Sequence, residues 1–427
     1  MTRLGLQEKI ETSRLSLANF IGFHDKDLFK KTKLFYQFMQ QARREGYDTY
    51  RRPLASGAGH RVMVRDEITG EVREMIMMGS NNYLGLTNHP KMIEAAEKAI
   101  KKYGVGSGGV PLLSGTLELH QELEQRIAKL KGCEDAVLFS SGFAANLGVL
   151  SALLSRRDVV INDKLNHASI IDGCRMSGAG TEIFGHNDTE HLESILRYAD
   201  QRWEGKLVVV DGVFSMDGDI SPLNKIVELA GKHKAYVMVD EAHATGVIGP
   251  GGRGSLAHHQ VEGKVDLVTV TLSKGLGCQG GAVACSKEVA EYLRFFSRST
   301  FFSTSLSPAV VAAAIAAVDI LEQEPERHKK LWENISYMVQ NLKRMGYDTR
   351  GTQSAIIPII IGDEIKLREM SVEIHKAGVF LSSIPYPAVP KGQARFRVSI
   401  MATHTRDDLD KTLEVLEQVG RKFGILN

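Results

Sequence analysis

The stretch Tyr236-Val-Met-Val-Asp-Glu-Ala-His243 sets four apolar residues ahead of two acids and a histidine. A short apolar run closed by ionisable residues reads as a buried strand that delivers polar groups at its carboxyl end. The same pattern recurs on either side. Ala136-Val-Leu-Phe139 runs into Ser140-Ser-Gly-Phe143, Leu207-Val-Val-Val210 into Asp211-Gly-Val-Phe-Ser215, and Leu267-Val-Thr-Val270 into Thr271-Leu-Ser-Lys274. Val159-Val-Ile161 adds a fifth strand, and helical patterns fill most of the intervals. This alternation predicts an α/β fold with a mostly parallel central sheet covered on both faces. Ligands of such sheets bind outside the carboxyl ends of the strands, which is where the small, polar and ionisable residues collect.

Outward from this centre the texture changes twice. Residues 1 to about 50 are charged and helix-prone, with Leu28, Leu34, Phe35 and Phe38 spaced as an amphipathic arm that packs on the body or on a partner subunit. His60–Arg65 and Glu74–Met78 flank the Thr69-Gly70 turn as a small β segment. After about residue 310 a long helix (Pro325 to Arg344) precedes the strand-like Ile356–Ile361 and Arg395–Ile400, then a closing helix from about Arg406. We therefore expect an N-terminal arm and β segment over 1–75, a large α/β domain over 76–310 and a smaller α+β domain over 311–427.

Composition narrows the function classes. Of 427 residues, 53 are Lys or Arg and 51 Asp or Glu, so a net charge of +2 offers no whole-chain attraction to nucleic acid. Cys133, Cys174, Cys278 and Cys285 show no metal-ligand spacing, so no metal site is expected. No apolar stretch reaches the roughly 18 residues of a spanning helix, and the start lacks a secretory core. A soluble, cytoplasmic protein is the expectation. Gly104-Val-Gly-Ser-Gly-Gly109 satisfies G-x-G-x-x-G formally, but it follows the helix-like Met92–Tyr103. The dinucleotide fingerprint needs a strand before the turn, so a glycine-rich turn near the ligand is the better account.

The strand ends suggest a Schiff-base lysine with charged partners. Lys274 needs desolvation or a neighbouring cation to be a competent amine near neutral pH. Thr271 and Ser273 put hydroxyls beside it, suited to a phosphate. Ser141, Gly142 and Phe143 lie between a strand and an apparent helix, where free backbone N–H groups cradle anions. Asp240 is placed to keep a pyridinium nitrogen protonated, the protein's usual contribution to pyridoxal-phosphate chemistry. Each residue alone has an ordinary structural reading; it is their joint occurrence that marks a site.

At this level of detail the chain resembles the α-oxoamine synthases, fold-type I pyridoxal-phosphate enzymes that join an amino acid to an acyl thioester with loss of the amino acid's carboxylate. The resemblance runs from about Arg51 to the C-terminus. It rests on Gly79-Ser-Asn-Asn-Tyr-Leu-Gly-Leu86, Leu113-Ser-Gly-Thr116, Ser141-Gly-Phe-Ala-Ala-Asn146, His167-Ala-Ser-Ile170, Asp211-Gly-Val-Phe-Ser-Met-Asp-Gly-Asp219, Asp240-Glu-Ala-His243, Thr271-Leu-Ser-Lys274 and Phe302-Ser-Thr-Ser305. It implies that Lys274 binds the cofactor covalently and later removes the α-proton. Asp240 would partner the pyridine nitrogen, His243 the ring hydroxyl, and His167 would stack on the ring and approach the substrate carboxylate. Ser141, Gly142, Phe143, Thr271 and Ser273 would hold the phosphate. Ser303 or Thr304 from a neighbouring subunit would complete that cradle, so a homodimer with a shared site is expected. Asn82 and Arg397 match positions that hold the amino-acid carboxylate.

Within the family, the arm, Tyr83, the Trp332 helix and the segment Pro387–Thr405 look most like bacterial serine palmitoyltransferase. Cysteate acyltransferases of sulfonolipid synthesis are the close alternative, with 8-amino-7-oxononanoate and 2-amino-3-oxobutyrate synthases behind them. One departure stands out: Val110-Pro111 occupies the place of a Ser-Arg pair usual in serine palmitoyltransferases and several of their relatives. The acyl donor is acyl-CoA or acyl carrier protein, and a long-chain product leaving into lipid is compatible with peripheral membrane contact.

Overall fold

A computed structural model describes residues 15, 17–21, 23–66 and 68–427. Thirteen strands are formed among them: β1 (Arg61–Arg65), β2 (Val72–Met77), β3 (Asp135–Phe139), β4 (Asp158–Asp163), β5 (Gly180–Phe184), β6 (Gly205–Asp211), β7 (Tyr236–Asp240), β8 (Leu267–Thr271), β9 (Gly281–Cys285), β10 (Ile356–Gly362), β11 (Val379–Phe380), β12 (Ser382–Ile384) and β13 (Ala394–Ser399). The central sheet has seven of them, in the order β3-β9-β8-β7-β6-β4-β5. Neighbours from β8 through β5 are parallel, whereas β9 runs antiparallel to both β8 and β3.

Alternation along each strand feeds two cores. Val208, Val210, Val237, Val239, Val268 and Val270 pack into one, while Leu207, Val209, Met238 and Leu267 pack into the other. Successive side chains point to opposite faces, and burial of each valine or leucine contributes about 1.5–3 kcal/mol. The five strands expected from sequence all form. The structure adds β5 and β9, which no apolar run announces: β5 is an edge strand with alternating burial, and β9 is built of small residues. Its Gly281 sits so near the Ser141 backbone that a Cβ would approach a carbonyl carbon to 2.5 Å.

The smaller C-terminal domain carries β10-β13-β12, and β11 adds in parallel to the β1–β2 hairpin. The long helix spans Pro325–Met345 and the closing helix Arg406–Lys422. The described arm forms a helix over Lys30–Arg44 that buries Phe38. Leu28 is a correction to the expected helical stripe, because it precedes that helix and is 75% exposed. The rest of the arm expectation, over residues 1–14, lies outside the described residues. No helix among the described residues is long and apolar enough to cross a membrane.

One buried ion pair fixes the end of β7. Lys131, closing the helix Glu118–Lys131, lies 2.9 Å from Glu241, and both side chains are almost fully buried. Lys131 also donates to the Arg253 carbonyl at 2.7 Å, and Glu241 accepts from the Ser255 N–H at 2.9 Å and from the Ser255 hydroxyl. Gly254 closes over the pair, with φ of 114° and no room for a Cβ beside the Glu241 carboxylate. Removing one partner of such a pair leaves an uncompensated buried charge. Lys131→Met is therefore expected to lower unfolding stability by about 3–5 kcal/mol in a urea titration. A loss below about 1 kcal/mol, the range of surface pairs, would show that the pair does not anchor the strand end.

Candidate active site

Five strand ends converge on one cavity of about 240 Å³. Ser141, Gly142 and Phe143 follow β3, His167 follows β4, Asp211 ends β6, and Asp240, Ala242 and His243 end and follow β7. Thr271, Ser273 and Lys274 end and follow β8. Nine of the residues read from sequence thus share one wall. Ser141 caps the helix Gly142–Leu153 by accepting the Ala144 N–H at 3.0 Å. The first-turn N–H groups of that helix have no intrahelical acceptor and carry its positive end. Gly142 lets the Thr271 hydroxyl approach closely, since a Cβ there would meet it at 2.0 Å.

A hydrogen-bonded chain runs through the site. Lys274 Nζ lies 3.0 Å from His243 Nε2, and His243 Nδ1 lies 2.8 Å from Tyr83 Oη. Tyr83 Oη donates to Asn81 Oδ1 at 3.2 Å, and Arg397 donates to the same Asn81 oxygen at 2.8 Å and to Tyr83 Oη at 3.4 Å. Desolvation lowers the Lys274 amine to about 8, with the Arg397 charge adding to the fall and Asp240 opposing it. Burial, then the Lys274 charge, pushes His243 well below its ordinary value, so its imidazole is neutral at pH 7. Burial likewise raises Tyr83 to about 12, leaving a neutral hydroxyl.

A second chain supports the carboxylate. Asn146 Nδ2 donates to Asp240 Oδ2 at 2.7 Å and to Ser169 Oγ at 2.8 Å, and Ser169 Oγ lies 2.7 Å from His167 Nδ1. The Ala242 N–H donates to Asp240 Oδ1 at 2.9 Å. Asp211, buried beside Asp240, is raised well above the usual carboxylate range by desolvation and by that neighbouring charge. His167 is lowered by burial, and its ring meets Phe143 edge-on at 6.3 Å between centroids.

The remaining sequence expectations fall elsewhere. Asn82 is buried with its amide spent on backbone, donating to the Ala58 carbonyl at 3.1 Å and accepting the Thr87 N–H at 3.3 Å. Its neighbour Asn81 makes the Arg397 contact instead. Arg397 reaches the cavity through Tyr83 and His243, and its Nε is buried without a partner. Ser303 and Thr304 line a different cavity of about 520 Å³, together with Pro111, Leu112 and His120. Sequence reasoning assigned no role to Asn146, Ser169 or Asn81. Asn146 and Ser169 lay within quoted motifs, yet only the fold joins residues 23 and 94 positions apart.

An anion cradle at a helix start, a buried carboxylate, an uncovered imidazole and a lysine of lowered pKa fit pyridoxal phosphate end to end. Comparison with known proteins agrees. Residues 73–416 match the family model for class I and II aminotransferases. The chain is 43% identical over 405 residues to 8-amino-7-oxononanoate synthase of Thermoanaerobacter pseudethanolicus, covering 95% of this chain and 100% of that one. It is 46% identical to 8-amino-7-oxononanoate synthase 1 of Bacillus subtilis, over 84% of this chain and 91% of the other. Among solved structures, serine palmitoyltransferase of Sphingomonas wittichii superposes with a TM-score of 0.88 at 34% identity, covering 94% and 100% of the two chains. The 8-amino-7-oxononanoate synthase of Francisella tularensis gives 0.70 at 27% identity, covering 82% and 99%. Fold and site define a fold-type I pyridoxal-phosphate-dependent transferase. The chain belongs to the class I and II aminotransferase family, within its acyl-transferring α-oxoamine-synthase branch.

Because only the neutral amine can attack the cofactor's aldehyde, its capture by apoprotein should accelerate with pH and level off above about 8. Arg397→Ala removes a nearby cation and should move that midpoint upward. A midpoint near the ordinary lysine value of about 10.4 in the parent protein would contradict the desolvated amine.

Proposed function

We propose that this chain condenses a small, uncharged L-amino acid with an acyl thioester, releasing CO2 and the free thiol and giving an α-oxoamine. The observation that carries this reading is the single cavity joining the Lys274 amine, the Ser141–Phe143 anion cradle and the buried Asp240 carboxylate. When bound, pyridoxal phosphate supplies an electron-withdrawing ring that stabilises negative charge at the substrate's α-carbon. Ser141, Thr271, Ser273 and the N–H groups of Gly142 and Phe143 would hold its phosphate. Asp240 would keep the ring nitrogen protonated, with His243 and His167 as the neighbouring imidazoles that would hold the ring. Lys274 holds the cofactor at rest and then moves the α-proton, a task suited to an amine whose pKa is about 8. Arg397 grips the substrate carboxylate through paired N–H donors until it departs as CO2. We read the functional unit as a homodimer in which Ser303 or Thr304 of one protomer completes the phosphate cradle of the other.

The choice of amino acid follows from charge. Cysteate would bring a sulfonate as well as a carboxylate. Among the described lining residues the cavity carries no cation besides Lys274, with Phe143, Val213 and Ala242 as its apolar walls. Val110-Pro111 also stands where an arginine is common. The relatives at 43–46% identity bear the name of a product, 8-amino-7-oxononanoate. Cut at its new C–C bond, that molecule is alanine less CO2 joined to a pimeloyl group. Alanine with an ω-carboxyacyl thioester is therefore our first reading. Serine with a long-chain thioester is the second, favoured by the higher shape similarity to serine palmitoyltransferases. The N-terminal arm does not discriminate, because the Thermoanaerobacter synthase aligns over 95% of this chain.

The test is an absorbance titration of holoenzyme with alanine, serine, glycine and cysteate, followed by CO2 release with pimeloyl-CoA or palmitoyl-CoA. Saturable change with alanine, and turnover with pimeloyl-CoA, is the expected result. A response to serine with palmitoyl-CoA alone selects the second reading. A response to cysteate alone, or no CO2 with any pair, overturns the proposal.

A further inference from the structure

Away from the strand ends, a cavity of about 180 Å³ lies between the β1–β2 hairpin, the segment 43–52 and the end of the helix Glu364–Lys376. Its lining is strongly cationic: Arg43, Arg52, Arg65, Arg73 and Lys376 against Asp48 and Asp66. Two of the five cations have a carboxylate in close contact, Arg43 with Asp48 at 2.9 Å and Lys376 with Glu373 at 3.3 Å. Of the other three, Arg52 has only the distant Asp66 carboxylate at 4.0 Å among the described residues, and Arg65 and Arg73 donate to backbone carbonyls. Arg73 donates to the carbonyls of His375 at 2.7 Å and Lys376 at 3.3 Å, and Arg65 to that of Gly70 at 3.3 Å.

Arg52 is the most confined of the three. Its side chain is 12% exposed, its Nη1 lies 3.3 Å from His375 Nδ1, and its nearest carboxylate among the described residues, Asp66, is 4.0 Å away. His375 is no counter-charge, since burial pushes it down to about 4 and it is neutral at pH 7. Burial, then the charge of Arg73, disfavours the Arg52 cation as well. Holding like charges together in a half-enclosed cavity costs free energy that an incoming anion recovers. Planar guanidiniums match the geometry of phosphate oxygens in particular.

We propose that this pocket binds a phosphate group, with Arg52, Arg65 and Arg73 as its ligands. Such a group has two sources: the nucleotide phosphates of a coenzyme A thioester, or a free phosphate anion acting from outside the reaction. The first source rests on the acyl-thioester reading above, and the topology suits it. Tyr50 lines the pocket and donates to the Ser383 carbonyl on β12, whose Ser382 pairs with Arg397 on β13. The pocket thus abuts the strand beside the proposed carboxylate clamp. It is also distinct from the Lys274 cavity, as a thioester anchored by its far end requires.

The experiment is calorimetric titration of holoenzyme with coenzyme A, with 3′-dephospho-coenzyme A and with inorganic phosphate, for the parent protein and for Arg52→Gln and Arg73→Gln. Loss of a charge-assisted contact should weaken binding by about tenfold or more. If coenzyme A loses affinity, the substrate's phosphates are the occupant, and weaker binding of the dephospho form by the parent protein assigns the 3′-phosphate. If only inorganic phosphate loses affinity, a free anion is the occupant. Coenzyme A and phosphate affinities that are both undetectable, or both unchanged by the substitutions, overturn the proposal. Arg52→Lys, which retains charge without the planar fork, guards against misfolding and should fall between parent and Arg52→Gln. The amino-acid absorbance response, unchanged in Arg52→Gln, reports separately on the catalytic reading, so failure of one is not failure of the other.

Discussion

A parallel strand buried on both faces has no place along its length for an ionisable side chain, so charge is confined to where the strand stops. That constraint organises this protein. The apolar runs of β6, β7 and β8 fill two cores with alternate side chains, and the polar residues that end them meet in one cavity. Consecutive residues at the end of β7 divide the work. Asp240 looks into the cavity, while Glu241 turns away to the buried Lys131 and holds the strand end in place. Catalytic geometry and folding energy are thus coupled over a single peptide bond.

The electrostatics of the site follow from the same burial. Lys274 loses water on entering the cavity wall, so more of its amine is neutral near pH 7, while Asp240 retains two donors, Asn146 and the Ala242 N–H. His243 lies between amine and phenol as a neutral imidazole, able to accept from one side and donate to the other. Tyr83 and Asn81 then tie this chain to Arg397, which arrives from the smaller domain on β13. The large domain contributes the proposed cofactor contacts and the small domain the carboxylate clamp.

Much of this was legible in the chain because strand-end chemistry is local. A run such as Leu267–Thr271 and the lysine three residues beyond it lie within one reading window. What escaped was non-local or degenerate. Asn146 acts on Asp240 across 94 residues, and β9 lacks the bulky residues that announce a strand because it is wedged between β3 and β8. Asn81 and Asn82 are chemically identical neighbours, and only the backbone decides which one meets Arg397 and which one is tied down by Ala58 and Thr87. The N-terminal arm does not separate serine palmitoyltransferases from their relatives, since an 8-amino-7-oxononanoate synthase aligns over 95% of this chain.

The central claim is that the amine at the end of β8 is the one that carries the cofactor. Borohydride reduction of holoenzyme, followed by proteolysis and mass spectrometry, tests it directly by locating the pyridoxyl group. The account predicts the label on Lys274 and on no other lysine. A label on another lysine, or a protein that binds the cofactor without acquiring a stable label, would contradict it.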